Sequence, residues 1–186
     1  MTQASRRAAA PARARPARPR REATAAGYAC ERMRRSSRRD ALVLLAAFLG
    51  EDEHYRASAA AYGDGGREAL ERSLDLFLAR PRLGFVWLAY DEAARDAGAV
   101  GACVVCYAIS TSRGALVAKL DDVHVASAWQ GRGAGSAMLA ALAQALRAEG
   151  VMRIDCGCHR DNARAWRFYE RLGFAPLGEE RIAKLL

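Results

Sequence analysis

The chain has 186 residues, 52% of them hydrophobic and 27% charged, with 29 Lys plus Arg against 21 Asp plus Glu for a formal charge of +8. That mix belongs to a globular chain able to bury one core, and it excludes wholly disordered and collagenous classes. The longest apolar run, Ala41 to Leu49, has nine residues, whereas a membrane-spanning helix needs about 20.

The positive charge sits at the front. Residues 1–39 hold twelve Arg against Glu22 and Glu31, a net of +10, which leaves −2 on residues 40–186. Proteins that act on nucleic acid carry positive charge on the folded surface, so neither nucleic acid nor membrane is expected as a partner. Residues 4–21 are Ala, Arg and Pro apart from Ser5. Such a stretch has no apolar period with which to offset its ordering entropy. Residues 1–24 are therefore expected to form a disordered leader ahead of one domain at 25–186. A solvated tail competes with a transit peptide and with a patch for nucleic acid or acidic lipid. Arg6-Arg7 suggests a twin-arginine signal, but no apolar segment follows it.

Asp40 reads as the N-cap of a short helix over Ala41 to Leu49. Tyr62 to Gly66 is a loop. Arg67 to Ala79 carries Leu70, Leu74, Phe77 and Leu78 on one helical face, and Pro81 ends it. Phe85 to Tyr90 reads as a strand, Asp91 to Gly98 as a polar turn, and Val100 to Ile109 as a buried strand. After a turn at Ser110 to Gly114, Ala115 to Val125 runs back as another strand. A glycine-rich loop, Gln130-Gly-Arg-Gly-Ala-Gly-Ser136, leads into a helix to about Glu149, stopped by Gly150. Val151 to Cys158 reads as a strand. Asp161 or Asn162 starts a helix that Gly173 ends, and Phe174 to Leu186 is expected to add one or two closing strands. The order predicts a single α/β domain: a mixed, mostly antiparallel sheet of about six to seven strands with helices on both faces.

The cysteines are Cys30, Cys103, Cys106, Cys156 and Cys158. An odd count and no secretory signal predict reduced thiols and a cytoplasmic protein. The spacings 103/106 and 156/158/159 resemble zinc ligands. Both segments read as strands, however, and a spacing of three turns two thiols to opposite faces. Cys156 and Cys158 share a face with Ile154, as core residues do, so no metal is expected.

Gly131, Gly133 and Gly135 sit between a strand and a helix N-terminus. Amides there, with the positive end of the helix dipole, suit a phosphate or pyrophosphate. A dinucleotide-binding oxidoreductase is one reading, and Asp155 falls twenty residues past Gly135, as a ribose ligand should. Against it, Ser136 stands where that motif wants its third glycine, the approach Ala126 to Gln130 is long, and no second mononucleotide half follows.

Three further patterns accompany the loop: Leu120-Asp-Asp-Val-His-Val125 before it, then Asn162-x-x-Ala165-x-x-Phe168-Tyr169, then Gly173-Phe174. Together, in order across residues 120–174, they resemble the GNAT superfamily of acetyl-CoA-dependent N-acetyltransferases. The resemblance implies that acetyl-CoA is the co-substrate, with no metal, and that its pyrophosphate rests on Gly131, Arg132, Gly133, Ala134, Gly135 and Ser136 beside Gln130. It implies that the pantetheine arm lies along Val123, His124 and Val125 as an added strand. Asn162 would hydrogen-bond that arm, and it equally suits a helix N-cap. Tyr169 would be the general acid that protonates the leaving thiolate. Asp121 or Asp122 would take the proton of the incoming amine. As strand neighbours they point to opposite faces, so one of them lines the cleft. His124 stands where relatives carry an aromatic residue, which favours a packing role. Gly157 departs from the Glu frequent in relatives. The implied reaction is direct attack by a primary amine of a small molecule, peptide or protein in a ternary complex. A catalytically silent acyl-CoA sensor is the alternative. Relatives are often dimers, so a homodimer is an assembly to test for.

Overall fold

Runs of Val, Ala and aromatic residues form the central sheet of the computed structural model, which describes residues 22–23, 27–53, 55–57, 65–179 and 184. The strands are β1 (Glu22–Ala23), β2 (Tyr28–Arg32), β3 (Gly84–Asp91), β4 (Gly101–Ser110), β5 (Ala115–Val125) and β6 (Ile154–Cys156), side by side in chain order. Neighbours from β1 to β5 pair antiparallel, and β5 pairs parallel with β6. A parallel step needs a crossover, here α3 (Ala134–Ala148). The other long helices are α1 (Arg38–Glu51), α2 (Gly66–Ala79) and α4 (Ala163–Arg171). Among the described residues, no helix is long and apolar enough to cross a membrane.

The single α/β domain and its mixed sheet with helices on both faces match the sequence reading. The strand count does not. Among the described residues the sheet has five strands of three or more residues, not six to seven; β1 adds only a two-residue pairing with Ala29 and Cys30. The shortfall lies after α4, where residues 174–179 form no strand. Residues 180–183 and 185–186 of the expected closing strands lie outside the described residues, as do residues 1–21 of the expected leader.

Three smaller expectations need correction. β2 was not anticipated, because five residues beside an Arg-rich stretch carry little periodic signal. α1 starts at Arg38 with Ser37 at its N-cap, and Asp40 sits in the first turn, where its carboxylate accepts a hydrogen bond from the Tyr90 hydroxyl at 3.2 Å. β6 covers three residues rather than Val151 to Cys158. The chain touches β5 earlier, through Met152 N to Leu116 O at 3.0 Å, but leaves it after Cys156, so Cys158 belongs to no strand.

Two apolar layers hold the helices to the sheet. On one face, Ala41, Leu42, Leu44 and Leu45 of α1 and Leu74 of α2 bury against Val86, Leu88, Ala102 and Val104. On the other, Met138, Leu139, Leu142 and Leu146 of α3 bury against Trp87, Cys103, Val105 and Leu120, with Phe168 and Tyr169 of α4 and Leu172 just after it packed alongside. Burying one such side chain stabilises the fold by about 1.5–3 kcal/mol. Arg38 adds a polar tie between α1 and α2, with Nε 2.7 Å from one Asp75 carboxylate oxygen and Nη2 3.1 Å from the other.

Candidate functional site

The site begins with an irregularity in β5. Ala102 lies opposite His124 and Val104 opposite Asp121, so the single residue Cys103 of β4 faces two of β5, Asp122 and Val123. This is a β-bulge, which bends a strand and breaks its alternation. Asp122 absorbs the extra residue at φ +51°, the one positive-φ non-glycine among the described residues. Aspartate tolerates that region better than most side chains, and such strain clusters at functional sites. The alternation of β5 breaks across Asp122: Asp121 and Val123, two residues apart, fall on opposite faces of the sheet. Asp121 shares the register of Val104, on the sheet face that α1 and α2 cover, and its carboxylate pairs with Lys119 Nζ at 3.0 Å.

Beyond the bulge the sheet opens. Parallel pairing between β5 and β6 ends at Leu120 and Cys156. From Asp121 to Val125, the edge of β5 turned away from β4 has no strand partner among the described residues. A V-shaped gap results. Val123 and Val125 line it on the α3 side, packed with Phe168 and Tyr169. On the other side, the end of α1 approaches, with the Phe48 ring edge-on to His124 at 6.3 Å between centroids. Burial is the main influence on His124 and pushes its pKa below the ordinary 6.5, against the opposing pull of Glu51 and Asp52. A packed, neutral ring is the role expected of it.

The glycine loop caps the open end. A 3-10 turn, Ser127–Trp129, precedes it. Gly131 and Gly133 adopt φ +74° and +88°, and a Cβ at either would meet nothing within 4 Å. Glycine is required there by backbone angle, and the space over the loop is open. Gly135 differs: it lies in the first turn of α3, where a Cβ would stand 3.3 Å from the Phe168 ring. The first helical bond of α3 runs from Ala137 N to Gly133 O. No backbone carbonyl among the described residues accepts from the six amides of residues 131–136. The amides of the loop and of the first turn of this 15-residue helix lie at the positive end of its dipole, an arrangement that suits an anion.

Neighbours hold this loop in place. Tyr28 of β2 donates from its hydroxyl to the Arg132 carbonyl at 3.1 Å, and the Arg132 guanidinium lies over the Trp129 ring at 5.5 Å. Gln130 bridges two elements: its Nε2 donates to Val125 O at 2.9 Å, and its Oε1 accepts from Arg164 of α4 at 2.7 Å. Asn162 is the N-cap of α4, its Oδ1 accepting from Ala165 N at 2.9 Å. Tyr28 and Arg164 were not foreseen; one lies far away in sequence, and the other carries no motif.

Tyr169 fills the floor of the gap. Its ring packs between Phe168 and Phe174, each 5.3 Å away between centroids. Burial, reinforced by the neighbouring Cys156 thiol, drives its pKa far above the ordinary 10, so the phenol keeps its proton. The structure thus packs Val123 and Val125 in one layer with Tyr169 and ties the loop to Val125 and α4 through Gln130. It leaves Asp155 out, since that carboxylate is taken by Arg153 at 2.6 and 2.9 Å. Cys103 and Cys106 do face opposite layers, and none of the five cysteines is disulfide-bonded. Among the described residues, no group of three or more His, Cys, Asp or Glu is placed to hold a metal ion.

A fold with a bulged, splayed strand and an amide cradle at the next helix defines the class. Residues 51–174, more than half of the chain, match the acetyltransferase (GNAT) family, and the chain belongs to that family. No curated protein matches it. Solved structures share the fold at low identity. An acetyltransferase of Trypanosoma brucei is 19% identical, with a TM-score of 0.61 over 85% of this chain and 99% of its own. Glucosamine-6-phosphate N-acetyltransferase from Arabidopsis thaliana is 15% identical, with a TM-score of 0.59 over 85% and 97%. An aminoglycoside acetyltransferase from an uncultured soil sample, in complex with sisomicin, is 16% identical, with a TM-score of 0.60 over 86% and 95%.

Proposed function

We propose that this protein is an N-acetyltransferase that moves an acetyl group from acetyl-CoA to a primary amine by direct attack in a ternary complex. The observation that carries this is the run of six open amides at residues 131–136, set beside the splayed half of β5 in a chain of the GNAT family. The cradle fits a diphosphate, because close-approach glycines and the helix dipole both favour one. Arg132 adds charge at its rim. The edge of β5 at Val123 to Val125 turned away from β4 offers backbone groups to the amide groups of a pantetheine arm, the Val125 carbonyl excepted, since Gln130 holds it. Asn162 uses Oδ1 for its cap, and its side-chain amide serves the same arm. Gln130 acts from behind, fixing the loop to β5 and α4.

Acetyl-CoA supplies the acetyl group as a thioester. The chain supplies proton management. An amine attacks only when neutral, so Asp121 and Asp122 carry the base role between them. Tyr169 carries a phenol proton and is the acid that gives it to the departing thiolate, a role that burial in the free chain opposes and that coenzyme binding must offset. On the far side, Glu51 and Asp52 at the end of α1 act on His124, and Asp121 and Asp122 stand nearby. Glu51 and Asp52 beside His124, with Asp122 on the same strand and Asp121 in its pair with Lys119, leave an excess of negative charge that favours a cationic acceptor such as a polyamine or an aminoglycoside.

The test is release of thiol from acetyl-CoA over a panel of cationic, neutral and anionic amines. Turnover greatest on cationic amines is the expected result. Tight coenzyme binding with no turnover on any amine makes the chain a sensor instead. Absence of coenzyme binding removes the reading.

A further inference from the structure

We propose that Arg164 selects the coenzyme by its 3′-phosphate, so that the chain binds CoA in preference to dephospho-CoA. The inference rests on the coenzyme reading above. Arg164 is the second residue of α4 and is exposed. The first turn of a helix lies at the positive end of its dipole, so a cation there costs stability. No acidic residue shares that turn. Arg167, three residues on, is exposed as well, and like charges at that spacing repel. Local preference thus argues against an arginine at this place, and such conflicts concentrate at functional sites. Elsewhere on the fold, Arg32, Arg38, Arg67 and Arg153 each pair with a carboxylate. Arg164 pairs with none among the described residues. Its Nη2 donates to the neutral side chain of Gln130 at 2.7 Å. Asp161, the acid nearest to it in sequence, lies against His159 at 3.9 Å. The Arg164 guanidinium therefore keeps an uncompensated charge and its remaining donors for a ligand.

The same bond fixes where that charge stands. Gln130 directly precedes Gly131, and its Nε2 is tied to Val125 O at 2.9 Å. The guanidinium is thereby pinned at the shoulder of the glycine loop. The first turn of α3 comes up to α4 there, with Gly135 against the Phe168 ring. A coenzyme whose diphosphate rests on the loop sends its pantetheine arm along β5 and its nucleotide the other way. The 3′-phosphate hangs one ribose ring from the diphosphate, within reach of a guanidinium held at the loop's shoulder. A planar fork of donors meets phosphate oxygens in pairs, and the contact is charge-assisted. Dephospho-CoA offers no anion at that point.

The test is calorimetry on the full chain with CoA and, separately, with dephospho-CoA, which lacks only the 3′-phosphate. CoA should bind about tenfold more tightly, and the ratio should shrink as salt is raised, because the pair stands in solvent. Arg164→Gln should bring the ratio close to one. Arg164→Lys, which keeps the charge without the fork, should retain part of it. Arg132→Gln should weaken both ligands alike and leave the ratio in place. A residue that only fastens Gln130 would, when replaced, weaken both ligands by the same factor; that result for Arg164→Gln overturns the proposal. So do equal affinities in the parent chain, a ratio that survives Arg164→Gln, or a ratio lost in Arg132→Gln instead. Heat from both ligands without discrimination removes the 3′-phosphate contact and keeps the coenzyme reading, whereas heat from neither removes both.

Discussion

The two halves of β5 carry different work. From Ala115 to Leu120 the strand pairs with β4 on one side and, over its last three residues, with β6 on the other. Its inward side chains Val117, Ala118 and Leu120 are buried. From Asp121 to Val125 it bulges, loses β6 and becomes half-buried throughout. One half supports the fold. The other gives up pairing and regularity, and with them stability, to present a backbone edge and two carboxylates. Variants in the two halves should therefore separate stability from chemistry.

The largest expected effect tests the splayed half. Replacing whichever aspartate is the base should lower kcat by about 100- to 10,000-fold. Asp121→Asn and Asp122→Asn, assayed side by side for thiol release, assign the role to the variant with the greater loss. Asparagine also tolerates positive φ, so thermal unfolding of both should stay near that of the parent. Equal, small losses in both break the assignment. In the paired half, Leu120→Ala should do the reverse. Leu120 is 0% exposed, and its truncation should cost about 2–5 kcal/mol in chemical denaturation. The molecules that remain folded should keep their CoA affinity.

Much of this contrast was legible in the residues. The bounds of β5, the glycine loop, α3 and the cap at Asn162 follow from period, turn chemistry and capping preference. The bulge was not legible, because an Asp-Asp pair carries no turn signature and only the register with Ala102 and Val104 reveals it. The shortness of β6 was hidden for a related reason: Val151 to Cys158 has strand composition, but pairing depends on where the neighbour diverges. Tyr28 and Arg164 act on the loop through long-range bonds that no local pattern encodes.

Smaller effects sharpen the comparison. Tyr169→Phe keeps the ring packing and removes the proton, so kcat should fall by about 10- to 100-fold while CoA affinity by calorimetry stays constant. A loss of affinity instead would make Tyr169 a packing residue. Gly133→Ala and Gly114→Ala strain similar backbone, at φ +88° and +60°. Each should cost about 1 kcal/mol of stability, but only Gly133→Ala should weaken CoA binding, because Gly114 lies in the β4–β5 turn away from the cradle. The smallest effect is the pH response of His124. Its folded pKa lies below the ordinary 6.5, so below that pH the unfolded chain binds the extra proton first. The stability from the neutral ring is complete above about 6.5 and is lost as pH falls toward the folded value. His124→Phe should flatten that part of the unfolding-versus-pH curve; an unchanged slope assigns the response elsewhere.

The bond from Tyr28 to the Arg132 carbonyl and the bridge made by Gln130 have a kinetic meaning as well. A loop already fastened at both shoulders loses little motion when an anion settles on it. Capture then requires no rearrangement of the receptor, and association should run at the speed of encounter, with residence time governed by the arm in the groove. Cutting either fastening, with Tyr28→Phe or Gln130→Ala, should slow arrival more than it hastens departure.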